Sequence, residues 1–446
     1  MSAIHCRFSK KKYSLPFFVI VFLTAAMFLP AEGDKLTIQA AVQAALVRNE
    51  RAAVADEKVK ASNAQVLKAR SFFLPTITAT GTYTRRPDAI TRTLNDQSVT
   101  VQSLNALAAT VAMNLNLFDS RSIPLFRQVK LENKAEKCNS LENKRALSFE
   151  VCNAFLATLG VEQMLNAAQK RFDLAKKNLE AAQARFEAQL VSVNDVTRAQ
   201  LEYATAERNI TRAQGDVQSA RLQLEFLLDQ KIAGELVIPE SLLAEAQSPP
   251  SMSDALIPEA QGQRLDLRSL RWHARAQHAY AVEPLLRWLP NLALIGSYRF
   301  TNESGLSGKS STWSVGLNLN WTIFDGLTRI ADYSERKALA HIADLEFKAG
   351  ERQVELQVHN AQVTLTNQQA SLKQAAVAQE VAGKNAGETT ELYRQGLTGA
   401  LQAADANVSL YEAEVELIRA RYGIAVAFLN LRSAMGLDPF GNHQIK

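Results

Sequence analysis

The sequence predicts an α+β membrane protein made of a duplicated unit, each copy a β-hairpin followed by long coiled-coil helices. Three observations carry this prediction. Matching landmarks recur about 207 residues apart in most places, four segments of about ten residues alternate apolar and polar side chains, and two proline-free stretches repeat apolar residues at spacings of three and four.

The start of the chain speaks for the compartment. Arg7 and the run Lys10, Lys11, Lys12 precede an apolar stretch from Leu15 to Leu29, too short to span a bilayer as a mature helix. Residues 1–33 therefore read as a secretory signal peptide, with Ala31 and Gly33 where a signal peptidase reads and cleavage expected before Asp34. Cys6 precedes the apolar run, so lipidation of a mature N-terminal cysteine is not expected. Removing the signal lowers the net charge from +5 to about +2, and no basic face suited to nucleic acid is visible. Cys138 and Cys152 remain. On one helix they would stand about 21 Å apart, beyond disulfide reach, and they read as packing residues.

The duplication sets the domain plan. Leu74, Pro75, Thr76 and Ile77 with Gly81 and Tyr83 are echoed by Leu289, Pro290, Asn291 and Leu292 with Gly296 and Tyr298. Phe118 and Asp119 are echoed by Phe324 and Asp325, and Arg185 to Ala199 by Tyr393 to Ala406. We expect a first repeat over 34–238 (a helix, a hairpin over 75–118, long helices over 124–230) and a connector over 239–263 marked by Pro239, Pro249, Pro250 and Pro258. A second repeat follows over 264–438 (a helix, a hairpin over 290–324, long helices over 328–436), then a tail over 439–446.

The strands show a period of two. Ile77, Ala79, Gly81 and Tyr83 alternate with threonines, and Val111, Met113, Leu115 and Leu117 with Ala112, Asn114 and Asn116. Leu292, Leu294, Gly296, Tyr298 and Phe300 form a third series, and Val315, Leu317, Leu319, Trp321 and Ile323 a fourth. About ten residues is the length of a tilted membrane-crossing strand, and Phe72, Phe73, Phe118, Trp313, Trp321 and Phe324 sit at segment ends as interfacial aromatics do. The polar segment from Arg85 to Ala106 and the Gly/Ser-rich one from Asn302 to Ser311 read as exposed loops. Four strands cannot enclose a pore, and an open sheet edge in lipid leaves backbone groups unpaired, so the chain must oligomerise.

Heptad-like seams run through the helices: Phe172, Ala175, Leu179, Ala182, Phe186; then Ile210, Ala213, Val217, Ala220, Leu224; and Leu410, Ala413, Leu417, Ala420, Ile424. Alanine at alternate positions allows close helix approach. A helix opened by Pro124 and running to about Leu190 would be roughly 100 Å long, which no compact soluble domain needs.

These landmarks resemble the TolC family of outer-membrane efflux proteins over nearly the whole mature chain. Leu36 and Thr37 with Ala41, Ala45 and Asn49 resemble the family's opening helix. Arg264, Leu265, Asp266 and Leu267 resemble the motif opening its second copy, with Leu265 where proline is usual. The resemblance implies a homotrimer closing a 12-stranded outer-membrane β-barrel in lipid, with a periplasmic α-helical barrel. It implies a passive exit duct for efflux or type I secretion, driven by an inner-membrane transporter of RND or ABC class through a periplasmic membrane-fusion adaptor. It further places adaptor-docking tips at Arg185, Phe186, Gln189, Leu190 and Asp195 in the first copy and Tyr393, Gly396 and Leu397 in the second, with Gln189 where glycine is usual. An entrance gate is implied at Asp405 and Gln402, where an acidic ring of the family is half replaced by an amide.

No enzyme is expected, since the sequence has neither a Gly-rich phosphate loop nor a nucleophile elbow, and no cofactor is called for. His273 and His278 are five apart on an expected helix, His341 and His359 have no ligand cluster at metal spacing, and no metal site is expected. The competing reading is a secreted soluble coiled-coil adaptor or scaffold protein, from which the two period-two hairpins argue away.

Overall fold

The computed structural model describes residues 35–94, 97–248, 256–303 and 309–442. The signal peptide and the last residues of the tail lie outside them. Helices α1 (Ile38–Arg48) and α2 (Glu50–Arg70) lead into strands β1 (Thr76–Arg85), β2 (Ile90–Leu94), β3 (Gln97–Gln102) and β4 (Asn105–Phe118). Helices α3 (Ser122–Glu187) and α4 (Val193–Leu228) follow, then short helices α5 (Glu240–Gln247) and α6 (Leu256–Gln263) in the connector. The second copy runs through α7 (Leu265–Ala281), α8 (Glu283–Leu286), β5 (Asn291–Thr301), β6 (Ser311–Asn320), α9 (Thr328–Arg394) and α10 (Ala400–Ala434).

The 66 residues of α3 make a rod of roughly 100 Å, and α9 with 67 residues matches it. Helix α3 begins at Ser122, so Pro124 sits in the first turn but two residues past the opening position, where its missing N–H still costs nothing. The polar segment after Arg85 is more than a loop: it folds into a second hairpin, β2 with β3. Strand β6 stops at Asn320, so Trp321 and Ile323 lie beyond it.

Strands β1, β4, β5 and β6 form one antiparallel sheet in the order β1-β4-β5-β6. The register aligns like with like. One face carries Ile77, Met113, Gly296 and Val315 in one row, Ala79, Val111, Tyr298 and Trp313 in the next. The other face carries Thr78, Ala112, Ser297 and Ser314, then Thr80, Thr110, Arg299 and Thr312. A slip of one residue in any strand would put apolar side chains on the polar face, which is why the register is fixed. Yet the apolar face is exposed: Ile77 is 69 % accessible, Trp313 76 % and Leu317 66 %.

The 207-residue offset recurs in the backbone. Gln189 and Gly396 both have positive φ, 59° and 76°, and so do Asp229 and Gly436, 49° and 80°. At the ends of α4 and α10 the same device recurs: Asn49 donates from Nδ2 to the Leu227 carbonyl (3.0 Å), and Arg264 from Nη1 to the Ala434 carbonyl (3.3 Å). Gly436 is required twice over, by its φ and because a Cβ there would meet the Arg264 backbone nitrogen at 3.1 Å. Asn49 and Arg264 belong to the two opening motifs singled out in the sequence, and each fastens the start of its copy to that copy's last helix.

The Leu/Phe core lies midway along the rods, where Leu147, Phe155, Leu156, Leu159, Leu224, Leu228 and Leu429 are buried with α1 packed against them. At the join of sheet and helices, a polar network replaces apolar packing. Arg329, on the first turn of α9, donates to Asp325 Oδ2 (2.8 Å), the Arg287 carbonyl (3.2 Å) and the Ile323 carbonyl (3.1 Å), with its guanidinium 4.0 Å from the Trp288 ring centre. Buried Glu283 accepts from Arg287 (2.8 Å) and Arg336 (2.5 Å), and Arg287 also reaches Asp332 (2.5 Å). Three arginines thus face three carboxylates, Glu283 and Arg287 each serving two partners, so the charges balance as buried ions require.

Candidate functional site: the helical tips and the polar face of the sheet

Each long helix pair turns at its tip through a left-handed residue. In the first copy the Leu190 N–H reaches back to the Arg185 carbonyl (2.8 Å); in the second the Leu397 N–H reaches the Leu392 carbonyl (2.9 Å). This closing pattern needs positive φ at one position, which glycine meets freely and Gln189 meets at a cost. Asp195, expected at the tip, serves the turn itself. It forms a capping box with Ser192, whose N–H donates to Asp195 Oδ2 at 3.1 Å while Ser192 Oγ accepts from the Asp195 N–H at 3.4 Å. Gln402 occupies the matching place in α10, and its amide folds back over Gly399, where a built Cβ would meet Oε1 at 2.8 Å.

The two tips touch. The Arg185 guanidinium lies 5.2 Å from the Tyr393 ring centre, and Arg185 donates to the Arg394 carbonyl at 3.5 Å. Around that contact Phe186 (42 %), Leu190 (75 %), Val193 (63 %), Leu397 (71 %) and Leu401 (43 %) are exposed. These large apolar side chains stand in water on either side of the two turns.

Asp405 is exposed on α10, one helical turn past Leu401. Burial pushes the Glu202 carboxyl on α4 up, the Arg171 charge opposes that, and the Asp405 charge adds to it. Arg171 also lies 4.7 Å from the Tyr411 ring centre. The two copies therefore bring Arg171, Glu202, Asp405 and Tyr411 together near the tips. Sequence reasoning found only Asp405, because the other three come from α3, α4 and a later turn of α10 with no shared motif. Among the described residues, no group of three His, Cys, Asp or Glu side chains is placed to hold a metal. Cys138 and Cys152 are both on α3, free and buried.

The polar face of the sheet is a wall of Thr, Ser, Asn and Ala. Among its strand positions one charge stands out, Arg299, flanked in register by Thr110 and Thr312.

The profile of the outer membrane efflux protein family matches residues 41–230 and 256–437 of the chain. The outer membrane protein TolC of Vibrio cholerae is 24 % identical over 385 residues, covering 83 % of this chain and 84 % of that protein. The protein of the same name from Escherichia coli is 25 % identical over 358 residues, covering 74 % and 70 %. Among solved structures, the Campylobacter jejuni CmeC outer membrane channel superposes with a TM-score of 0.77 at 15 % identity, over 99 % of this chain and 96 % of that one. The family is one of channels rather than enzymes, and the reading as a soluble adaptor or scaffold finds no support among these relatives. With its duplicated hairpins, roughly 100 Å helices and matched profile, the chain belongs to the outer membrane efflux protein family and is an outer-membrane channel component.

Proposed function

We propose that three copies close their sheets into one 12-stranded barrel, and that the resulting duct carries solutes out through the outer membrane under the drive of an inner-membrane pump of RND or ABC class, coupled through a periplasmic adaptor. The observation that carries this is the sheet: apolar side chains in register on one exposed face, polar ones on the other, and strands β1 and β6 left at open edges. In lipid those edges must pair, and pairing β6 of one copy with β1 of the next does so without a new element. Channels of the family form trimers and work with adaptors and pumps. Aromatics support the placement in two belts, Trp313, Tyr83 and Tyr298 toward the loops and Trp288, Trp321 and Phe324 toward the helices, all exposed.

The tips built from Arg185, Phe186, Gln189, Leu190 and Asp195, with Tyr393, Gly396 and Leu397, are then the adaptor-docking surface. The exposed apolar set around the Arg185–Tyr393 contact supports that reading. Asp405, with Gln402 beside it, forms the entrance gate, where three carboxylates about one axis favour cations. The test is fractionation and exchange of tip residues. The protein should sediment with outer membranes, need detergent, and run as a trimer; a soluble product would overturn the channel. Gly396→Trp should abolish export while trimers remain in the membrane, and unchanged export would remove the tip from docking.

A further inference from the structure

We propose that Arg299 makes the outer end of this duct a positively charged, anion-preferring collar that sets the channel's selectivity against the acidic entrance. The inference rests on the trimeric barrel reading above. The apolar face of the sheet meets lipid, so the opposite face, with Arg299, lines the lumen. Arg299 stands in the outer half of β5, two residues before the strand ends at Thr301, and its side chain is exposed. Its row is otherwise hydroxyl: Thr80, Thr110 and Thr312. Every other strand position on that face is uncharged.

The charge is not spent locally. Glu303, a carboxylate toward the loop that feels the Arg299 charge, is engaged by Arg86 and accepts from the Ser103 N–H at 2.8 Å, while the Arg299 side chain makes no hydrogen bond or ion pair among the described residues. The Arg86 hydrogen bond, with help from the Arg299 charge, holds Glu303 below the usual carboxylate range. Glu303 thus has its own partner in Arg86, and the Arg299 side chain keeps its charge with no carboxylate paired to it among the described residues.

Geometry decides whether three such charges matter. Twelve strands about 4.8 Å apart and tilted about 40° close a circle of roughly 12 Å radius. Arginines reaching to about half that radius stand on the order of 10 Å apart, no more than about one Debye length at 0.1 M salt. No ion on the axis escapes all three. Three unit charges roughly 6 Å from the axis, screened at that salt, raise local anion concentration by roughly sevenfold. A hydroxyl wall adds donors for the anion but no competing negative charge.

The test is purified trimer in planar bilayers under a KCl gradient, with inorganic tripolyphosphate as the anionic probe. Arg299→Ser should shift the reversal potential toward cations, and Arg299→Lys should restore it. Tripolyphosphate added on the loop side should reduce current through wild type and Arg299→Lys, with block at least a few-fold weaker in Arg299→Ser. Asp405→Ala should move selectivity in the opposite sense, and the double variant should return close to wild type. Conducting Arg299→Ser channels with wild-type selectivity and wild-type block overturn the collar while leaving the channel intact. A wild-type protein that forms no pores removes the barrel reading instead.

Discussion

Gln189 and Gly396 hold the same place in the two tips, and exchanging their side chains is a quantitative test of how those turns are held. Both residues have positive φ, and both turns close with the same reach-back hydrogen bonds. A Cβ built at Gly396 meets nothing within 4 Å, so a side chain there costs backbone strain and no clash. Left-handed φ costs an L-residue about 1–2 kcal/mol, while glycine's extra freedom in the unfolded chain offsets about 0.4–1 kcal/mol of that. The difference is about 1 kcal/mol at each turn. Gly396→Gln should loosen the second tip by that amount, and Gln189→Gly should tighten the first. Because tips open locally, the measurement is amide hydrogen exchange, read on segments 185–199 and 392–406 of the trimer in detergent. About 1 kcal/mol is about fivefold in exchange rate, faster at 392–406 in the first variant and slower at 185–199 in the second. Exchange within about twofold of wild type in both would show that the left-handed residue does not limit tip opening.

Three further outcomes test other parts of the structure. Burial pushes the Cys152 thiol up to about 12, so a maleimide should leave it unlabelled at neutral pH in the folded trimer and label it after denaturation; rapid native labelling would contradict its burial. Glu283→Ala strips a buried carboxylate from Arg287 and Arg336 and should cost about 3 kcal/mol or more, seen as a lower Tm of the detergent trimer; an unchanged Tm would show the network idle. Burial would raise the Asp266 carboxyl, but its hydrogen bond and charge contact with Arg264 win and hold it below the ordinary value. A depressed folded pKa contributes stability that is present above the unfolded value of about 3.9 and lost as pH falls through the folded one, so Asp266→Asn should flatten the loss of stability below about pH 4.

What could be read from the residues depended on how local the determinant was. Ile77 to Tyr83 and Val315 to Leu319 declare strands because their alternation is complete over the whole crossing, and their pairing follows from the apolar rows. The left-handed Gln189 was legible only through the duplication, which sets it against Gly396; alone, a glutamine gives no sign of positive φ. Ser192 and Asp195 spell a helix start in the sequence itself, which is why Asp195 proved to cap α4 as well as mark the tip. Strands β2 and β3 were hidden inside a polar segment, since Arg92 interrupts Ile90 and Leu94 in one and only Val99 and Val101 alternate in the other, too short a series to declare a strand. The Glu283, Arg287, Arg329 and Arg336 network was equally silent. Its members come from two separate stretches, 283–287 and 329–336, and an isolated Arg or Glu on a helix looks solvated until tertiary structure removes the water.

The composition of the seams grades the packing along the helices. Among the described residues of α3 and α4 beyond Leu159 and before Leu224, every buried apolar side chain is an alanine: Ala167, Ala168, Ala175, Ala182, Ala199 and Ala206. The second copy repeats this between Leu365 and Tyr422 with Ala375, Ala386, Ala403, Ala406 and Ala420. Each alanine buries three carbons fewer than a leucine, about 2 kcal/mol less per position at about 0.8 kcal/mol per methylene. Tens of ångströms of coiled coil near the tips are therefore held by small side chains and close backbone approach, while Phe155, Leu156, Leu224, Leu228 and Leu429 anchor the middle. Local stability must fall from the middle toward the tips, so the low-stability end of the molecule is the end that carries Asp405 and the exposed apolar patch. A partner that covers Leu190 and Leu397 adds burial where the chain itself supplies least, and so has the greatest leverage over the arrangement of the tips.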